Sequence, residues 1–93
     1  MMYESAFERK LVTAVRRRGG RAYKWVCPGT PGAPDRICIF PRGRVVFVEV
    51  KRPGVSDGLS VRQRKFRQTL KDLGCAVLRI NSIEELERYL DGV

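Results

Sequence analysis

Histidine is absent from this chain, and its three cysteines, Cys27, Cys38 and Cys75, lie far apart without a C-x-x-C pair. A zinc site or another soft-metal site needs imidazole or thiolate ligands at close spacing, so the sequence argues against one. We interpret the cysteines as reduced, mostly buried small apolar residues. Long apolar runs are also missing, as is a basic amphipathic helix with a bulky apolar face, which disfavours a membrane protein.

Acidic residues are scarce relative to basic ones. Lys and Arg number 19 against 10 Asp and Glu, which gives a formal charge of +9 that no histidine modifies near neutral pH. This surplus predicts a polyanionic partner, and without membrane-binding features nucleic acid is favoured. The opening stretch MMYESAFERK contains no apolar signal region, so we expect a cytoplasmic protein. At 93 residues, we expect one domain over residues 1–93.

Hydrophobic periodicity and turn residues divide the chain into helices and strands. We predict helices over 3–18, 60–74 and 82–92, and strands over 21–27, 35–40, 44–51 and 75–80. The two middle strands flank a short turn and form a hairpin. Gln63 follows Ser60 at the spacing of a capping box, and Glu85 follows Ser82 in the same way. The order αβββαβα predicts an α/β fold with a mixed central sheet flanked by helices, the last of them C-terminal.

Two charged residues interrupt the strand RVVFVEVK, which is otherwise mostly apolar. Because strand side chains alternate between faces, Glu49 and Lys51 share one side with Val45 and Phe47. Such neighbours lie about 7 Å apart, which is too far for direct pairing but suits contact with one group between them. Asp35 begins the preceding strand, so hairpin pairing can place it beside Glu49 and Lys51. Taken alone, the Pro-Asp pair is more often a structural turn element.

A third carboxylate is predicted to come from the first helix. On a helical projection Glu8 lies beside the inward-facing Leu11 and Val15, and Glu4 lies one turn earlier on the same edge. A solvated fringe of an amphipathic helix also explains these two acids. Three carboxylates in one half-buried place repel one another, and each costs several kcal/mol unless it is compensated. A hard cation that prefers oxygen ligands, Mg²⁺ or Mn²⁺, would remove this repulsion.

The stretch GAPD followed by EVK resembles the signature of PD-(D/E)XK nucleases. The longer stretch GTPGAPDRICIFPRGRVVFVEVKRPG, with the later VRQRKF, is similar to the VRR-NUC branch of that superfamily. The resemblance covers nearly the whole chain and implies a restriction-endonuclease-like αβββαβ core. The catalytic residues that it implies are Glu8, Asp35, Glu49, Lys51 and Gln63. The implied metal ligands are Asp35, Glu49, the backbone carbonyl of Val50 and Glu8, with Glu4 as a competitor of Glu8 and helix capping as the alternative role of Gln63.

The resemblance implies a metal-dependent DNA endonuclease that hydrolyses phosphodiester bonds, of phage or bacterial type. Similarity to standalone VRR-NUC proteins and archaeal Holliday junction resolvases implies a homodimer acting on branched DNA, since two sites suit a two-fold symmetric junction. The candidates for phosphate binding are Lys24, Arg42, Arg44, Arg52, Arg62, Arg64, Lys65 and Arg67. Two alternatives stay open: a nuclease acting on flaps or other DNA structures, and a catalytically silent basic DNA-binding accessory module.

Overall fold

The helices and strands of the chain follow the predicted order αβββαβα. A computed structural model describes residues 6–27, 29, 33–50 and 61–92. The elements are α1 (Ala6–Arg17), β1 (Arg21–Lys24), β2 (Arg36–Phe40), a 3₁₀ turn (Pro41–Gly43), β3 (Arg44–Val50), α2 (Val61–Asp72), β4 (Ala76–Ile80) and α3 (Ile83–Asp91). The predicted α/β fold class, a mixed sheet flanked by helices, is thereby confirmed.

The strands form one sheet in the order β1-β2-β3-β4. The pairs β1–β2 and β2–β3 are antiparallel, whereas β3 and β4 are parallel and are connected through α2, as a parallel pair requires. Cys38, Val46 and Val48 lie on one face and are fully buried, together with Leu11 of α1 and Leu86 of α3. The main core therefore lies between this face and the two terminal helices.

The opposite face of the sheet is partly covered by α2. The ring of Trp25 lies 5.0 Å from that of Phe47 and stands edge-on to that of Phe66 on α2, with centroids 5.5 Å apart. Leu70, one turn later, is buried, so these residues attach α2 to the sheet. Helical periodicity also predicts that Leu73 belongs to the buried stripe, and that prediction is wrong. Leu73 follows the end of α2 and is 74% exposed.

The first strand is shorter than the predicted range 21–27. The N–H of Trp25 still donates to the carbonyl of Asp35 at 3.1 Å, just beyond the regular β1–β2 ladder. The last pair of the regular register lies one position earlier, where Lys24 is opposite Arg36. The ladder therefore ends before the predicted limit, and the chain leaves the sheet close to the start of β2.

Two glycines let the chain turn from α1 directly into β1. Gly19 has a φ of +82°, and its N–H donates to the carbonyl of Arg16 at 2.9 Å, a helix ending that favours glycine. Gly20 is buried, and a Cβ at this position would lie 2.5 Å from the carbonyl oxygen of Ile39. Only glycine therefore fits where α1 approaches the sheet.

The start of α3 shows the predicted capping box. Ser82 Oγ accepts a hydrogen bond from the N–H of Glu85 at 3.3 Å, and Glu85 Oε1 accepts one from the N–H of Ser82 at 3.2 Å. The capping box predicted at Ser60 and the first residues of the predicted helix 3–18 lie outside the described residues. Among the described helices, none has the length and apolar character needed to span a bilayer.

Candidate active site

Pairing of β2 with β3 brings two of the predicted acidic residues together at the open end of the hairpin. Arg36 pairs with Val48, so the next position sets Asp35 opposite Glu49. Asp35 Oδ2 accepts a hydrogen bond from the N–H of Val50 at 2.8 Å, which holds the aspartate against the end of β3. The structure thus places Asp35, Glu49 and the backbone of Val50 in one neighbourhood. We call Asp35 and Glu49 the acidic pair.

Glu49 is the buried member of the acidic pair, with 3% of its surface exposed. Neither of its carboxylate oxygens has a hydrogen-bond partner among the residues that the structure describes. Burial raises the pKa of Glu49 from the ordinary 4.5 to about 7, and the charge of Asp35 acts in the same direction. An ionised carboxylate in such a place is costly unless a cation or hydrogen-bond donors stabilise it.

Two arginines border Glu49 from different elements. Arg79 of β4 is its partner in the parallel β3–β4 register, so both side chains project toward α2. Arg67 lies on α2 next to Phe66, one turn after Gln63, on the side that contacts the sheet. The charges of both guanidinium groups lower the pKa of Glu49, against the larger effect of burial. Nonetheless Nε of Arg67, and Nε and Nη2 of Arg79, are buried without a hydrogen-bond partner within the described ranges.

Glu8, the predicted acid of the first helix, binds an arginine. Glu8 Oε1 lies 3.1 Å from Arg36 Nη2, and the two side chains are 18% and 6% exposed. Arg36 shares its sheet face with Cys38, the face opposite to that of Glu49. Within residues 6–27, 29, 33–50 and 61–92, no group of three or more His, Cys, Asp and Glu side chains is arranged to hold a metal ion. Of the expected three acidic residues, the structure brings Asp35 and Glu49 together and places Glu8 with Arg36. Glu4 lies outside the described residues.

The other two predicted catalytic residues follow the acidic pair in the chain. Lys51 comes directly after Val50 and lies outside the described residues, so its role stays a prediction. Gln63 is half-buried in the first turn of α2. Because it precedes Arg67 by one helical turn, it lies on the side of α2 that faces the sheet. Gln63 therefore lies on the same side of the sheet as the acidic pair, as its predicted role requires.

The basic residues of α2 lie where a polyanion can reach them. Arg62, Arg64 and Lys65 are exposed, whereas Arg67 is half-buried. Lys24 is exposed at the end of β1, in the last pair of the ladder with β2, and Arg52 lies outside the described residues. The exposed side of α2 is therefore the main basic surface on the same side of the sheet as the acidic pair.

Arg42 and Arg44 lie at the other end of the hairpin. Arg44 begins β3 and Glu49 is near its end, a separation of about 17 Å along an extended strand. The guanidinium of Arg44 lies over the ring of Tyr89 on α3, 5.2 Å from its centroid. The hairpin turn therefore carries these two phosphate-binding candidates away from the acidic pair. Any phosphate that they bind is remote from Glu49.

The carboxylate oxygens of the acidic pair are suitable ligands for a hard divalent cation. Glu49 offers two buried oxygens that lack hydrogen-bond partners in the described part of the chain, and the N–H of Val50 orients the carboxylate of Asp35 beside them. These ligands are oxygens alone, and the chain has no histidine. Mg²⁺ and Mn²⁺ prefer such ligands, whereas soft metals prefer thiolate or imidazole.

Two arginines on strands were not among the predicted site residues. In the stretch DRICIF, Arg36 lies two positions before Cys38, and in CAVLRI, Arg79 lies two positions after Val77. Because strand side chains alternate between faces, each arginine projects from the same face of the sheet as a buried apolar residue. A charged residue at an apolar strand position is the signal that singled out Glu49. The same signal, applied to the neighbouring strands, would have identified both arginines.

Comparison with known proteins agrees with this architecture. No family model matches the chain. The chain is 48% identical over 54 residues to "Putative nuclease p44" of Acyrthosiphon pisum secondary endosymbiont phage 1, and the match spans 58% of this chain and 58% of the phage protein. A solved VRR_NUC domain superimposes with a TM-score of 0.79 and 24% identity, over 91% of this chain and 90% of that one. The chain therefore has the fold of a VRR_NUC domain, as the GAPD and EVK stretches had indicated.

Proposed function

We propose that this chain is a metal-dependent, structure-selective DNA endonuclease that hydrolyses phosphodiester bonds with Mg²⁺ or Mn²⁺. The observation that carries the proposal is the buried carboxylate of Glu49 beside Asp35, whose oxygens lack hydrogen-bond partners among the described residues. A bound cation would stabilise this charge, and carboxylate-held divalent cations promote phosphodiester hydrolysis. The VRR_NUC fold and the phage relative named as a nuclease support the same function.

The cation would be held by Asp35, Glu49 and the carbonyl oxygen of Val50. When bound, it acts as a Lewis acid toward a phosphate oxygen and toward water. The bond from the N–H of Val50 orients Asp35 before the cation arrives. Glu8 is the candidate ligand from α1, and its bond to Arg36 ties that helix to the strand that follows Asp35.

Lys51 and Gln63 would act on the substrate side of the acidic pair. The ammonium group of Lys51 supplies a positive charge to the scissile phosphate or the attacking water, where negative charge builds up during hydrolysis. Gln63 faces the sheet from the first turn of α2 and can orient a water or a phosphate oxygen through its amide. Neither role requires a group that reads base edges.

Binding of DNA rests on the excess of positive charge. The proposed phosphate-binding residues are Lys24, Arg42, Arg44, Arg52, Arg62, Arg64, Lys65 and Arg67. Contact with about six phosphates makes the affinity fall with roughly the fifth power of the salt concentration. We propose recognition by DNA shape, with branched DNA such as Holliday junctions as the substrate. A cytoplasmic homodimer would set its two active sites across such a junction.

Cleavage of defined DNA structures tests this proposal. The purified chain is incubated with a four-way junction, a flap, a duplex and a single strand, in Mg²⁺, Mn²⁺ or EDTA. We expect cuts in the junction that depend on the metal. Glu49→Gln should abolish cleavage, while Glu84→Gln, which changes an exposed acid of α3, should retain it. Intact DNA under every metal condition contradicts the nuclease function, and equal rates on all four structures contradict the structure selectivity.

A lysine substitution separates catalysis from binding. Lys51→Ala should abolish cleavage and leave folding and junction binding in place, because the ammonium group acts on the reacting phosphate. The matched control is Lys71→Ala, which removes an exposed lysine near the end of α2 and should cleave normally. Cleavage by the Lys51 variant at the rate of the control would rule out this role.

A further inference from the structure

We infer that Arg67 and Arg79 form an anion-binding subsite that takes a phosphate group of the nucleic-acid backbone beside Glu49. The inference rests on the proposed function, since it assigns the substrate side of the same site. It adds Arg79, which no sequence pattern had selected, and it distinguishes Arg67 from the exposed basic residues of α2.

The two arginines reach the acidic pair from different directions. Arg79 is fixed by the β3–β4 ladder, in which it is the partner of Glu49. Arg67 is fixed by the packing of α2, because its neighbour Phe66 stands edge-on to Trp25 with ring centroids 5.5 Å apart. A strand and a helix thus hold two guanidinium groups over one part of the sheet, which gives the subsite a rigid frame.

The hydrogen-bonding state of these groups points to a ligand. Nε of Arg67, Nε and Nη2 of Arg79, and both oxygens of Glu49 are buried without a partner in the part of the chain that is described. An arginine that serves only to neutralise a carboxylate forms a short, often bidentate pair with it. Here donors and acceptors occupy the same region without bonding to each other. Desolvated donors in this state favour an added acceptor.

A phosphodiester held by a divalent cation satisfies both sets of atoms. Its oxygens accept hydrogen bonds from the two guanidinium groups, and its cation takes the oxygens of Glu49. The planar fork of arginine matches the tetrahedral oxygens of a phosphate and stays charged at any physiological pH. The formal charge of +9 further favours a polyanion over a single carboxylate ligand.

Since the subsite consists of side chains alone, it should bind DNA before any metal is present. Affinity for a short fluorescein-labelled duplex is therefore measured by anisotropy in EDTA over a range of salt concentrations. Arg67→Gln and Arg79→Gln should each weaken binding about tenfold and reduce the salt dependence by about one phosphate contact. The control Arg16→Gln removes the same charge from an exposed residue of α1 and should weaken binding less than about twofold. Losses no larger than that of the control overturn the inference.

Conservative variants separate phosphate binding from a structural role. Arg67→Lys and Arg79→Lys keep the charge and lose the fork, so their affinities should lie between those of the wild type and the glutamine variants. Circular dichroism melts establish that each variant is folded. If Arg79→Gln does not fold, Arg67→Gln and the two lysine variants decide the question. A lower melting temperature with affinity equal to that of the control would mean that the arginines only support the fold.

The wild-type cleavage assay, run in parallel, keeps the two proposals apart. If the wild type cuts DNA while the glutamine variants bind like Arg16→Gln, the subsite is wrong and the nuclease function stands. If the variants lose affinity but the wild type cuts no DNA in Mg²⁺ or Mn²⁺, the chain binds phosphate at this place without being a nuclease.

Discussion

Replacing Glu49 by Gln keeps the shape of the side chain and removes a buried charge, so it measures the energy that the acidic pair imposes on the fold. Glu49 has a pKa of about 7 in the folded chain against an ordinary 4.5, mainly because of burial and next because of Asp35. The folded state therefore holds a proton that the unfolded state releases between these values. Stability falls as the pH rises through this window, and the loss is complete above the folded pKa.

The size of the effect follows from the two pKa values. A separation of 4.5 to about 7 corresponds to about 3 kcal/mol between the low-pH and high-pH limits. From pH 5 to pH 8 the wild type should lose about 2.5 kcal/mol relative to Glu49→Gln, whose side chain does not titrate. For a domain of this size that is a melting-temperature difference of about 10–20 °C at pH 8.

The assay is urea unfolding in EDTA at several pH values, followed by the fluorescence of Trp25, which packs against Phe47 of the same strand as Glu49. The control Glu84→Gln replaces an exposed acid of α3 and keeps Glu49, so this variant should show the pH dependence of the wild type. A difference between Glu49→Gln and the wild type that is constant with pH, or that grows toward acid, would refute the reasoning.

Addition of Mg²⁺ extends the same experiment. The cation binds the ionised carboxylate, so it should stabilise the wild type at pH 8 and lose this effect below about pH 7 as protons compete for Glu49. Glu49→Gln should gain little at any pH. Equal stabilisation of both proteins would place the cation elsewhere.

Three further predictions concern the frame of the site. Gly20→Ala should lower stability by at least about 2 kcal/mol in urea unfolding, since its Cβ would lie 2.5 Å from the Ile39 carbonyl oxygen, whereas Gly92→Ala at the end of α3, with a Cβ 3.2 Å from the Arg88 carbonyl oxygen, should cost less; equal effects would contradict the close approach at Gly20. Glu8→Ala should lower stability by about 2 kcal/mol because it removes the carboxylate that lies 3.1 Å from the buried Arg36 guanidinium, and the exposed Glu84→Ala by less than about 1 kcal/mol; no difference would mean that the ion pair contributes nothing. Arg42→Gly should raise the free energy of unfolding by about 0.5–1 kcal/mol, because Arg42 has a φ of +70°, whereas Gly43→Ala, at a φ of +74°, should lower it by about as much, both measured by thermal melts; a lower stability of both variants would disprove strain at Arg42.

Local rules explain why the acidic pair was predictable. Alternation assigns Glu49 to one face, and a short hairpin leaves few registers, so Asp35 and Glu49 become neighbours from the sequence alone. The capping box of α3 is local in the same sense, since its two residues are three positions apart. In each case the deciding interaction lies within a few residues of chain or within one hairpin.

The features that escaped prediction depend on contacts between distant elements. Arg79 meets Glu49 only because α2 returns the chain in a particular register, and Glu8 meets Arg36 only at the docking angle that α1 adopts. Leu73 fits the helical period but comes after the last helical residue, where Gly74 at φ +87° ends the turn. Periodicity alone does not contain this information.

The parallel pairing of Glu49 with Arg79 limits how β4 can change in length. If one residue were inserted between Ala76 and Arg79 and Ala76 stayed paired with Val46, every later side chain of β4 would move to the other face of the sheet. The guanidinium of Arg79 would then point into the apolar core. An insertion before β4, at the exposed Gly74, would leave the pairing intact. Length variation that preserves the site should therefore collect ahead of this strand and avoid its interior.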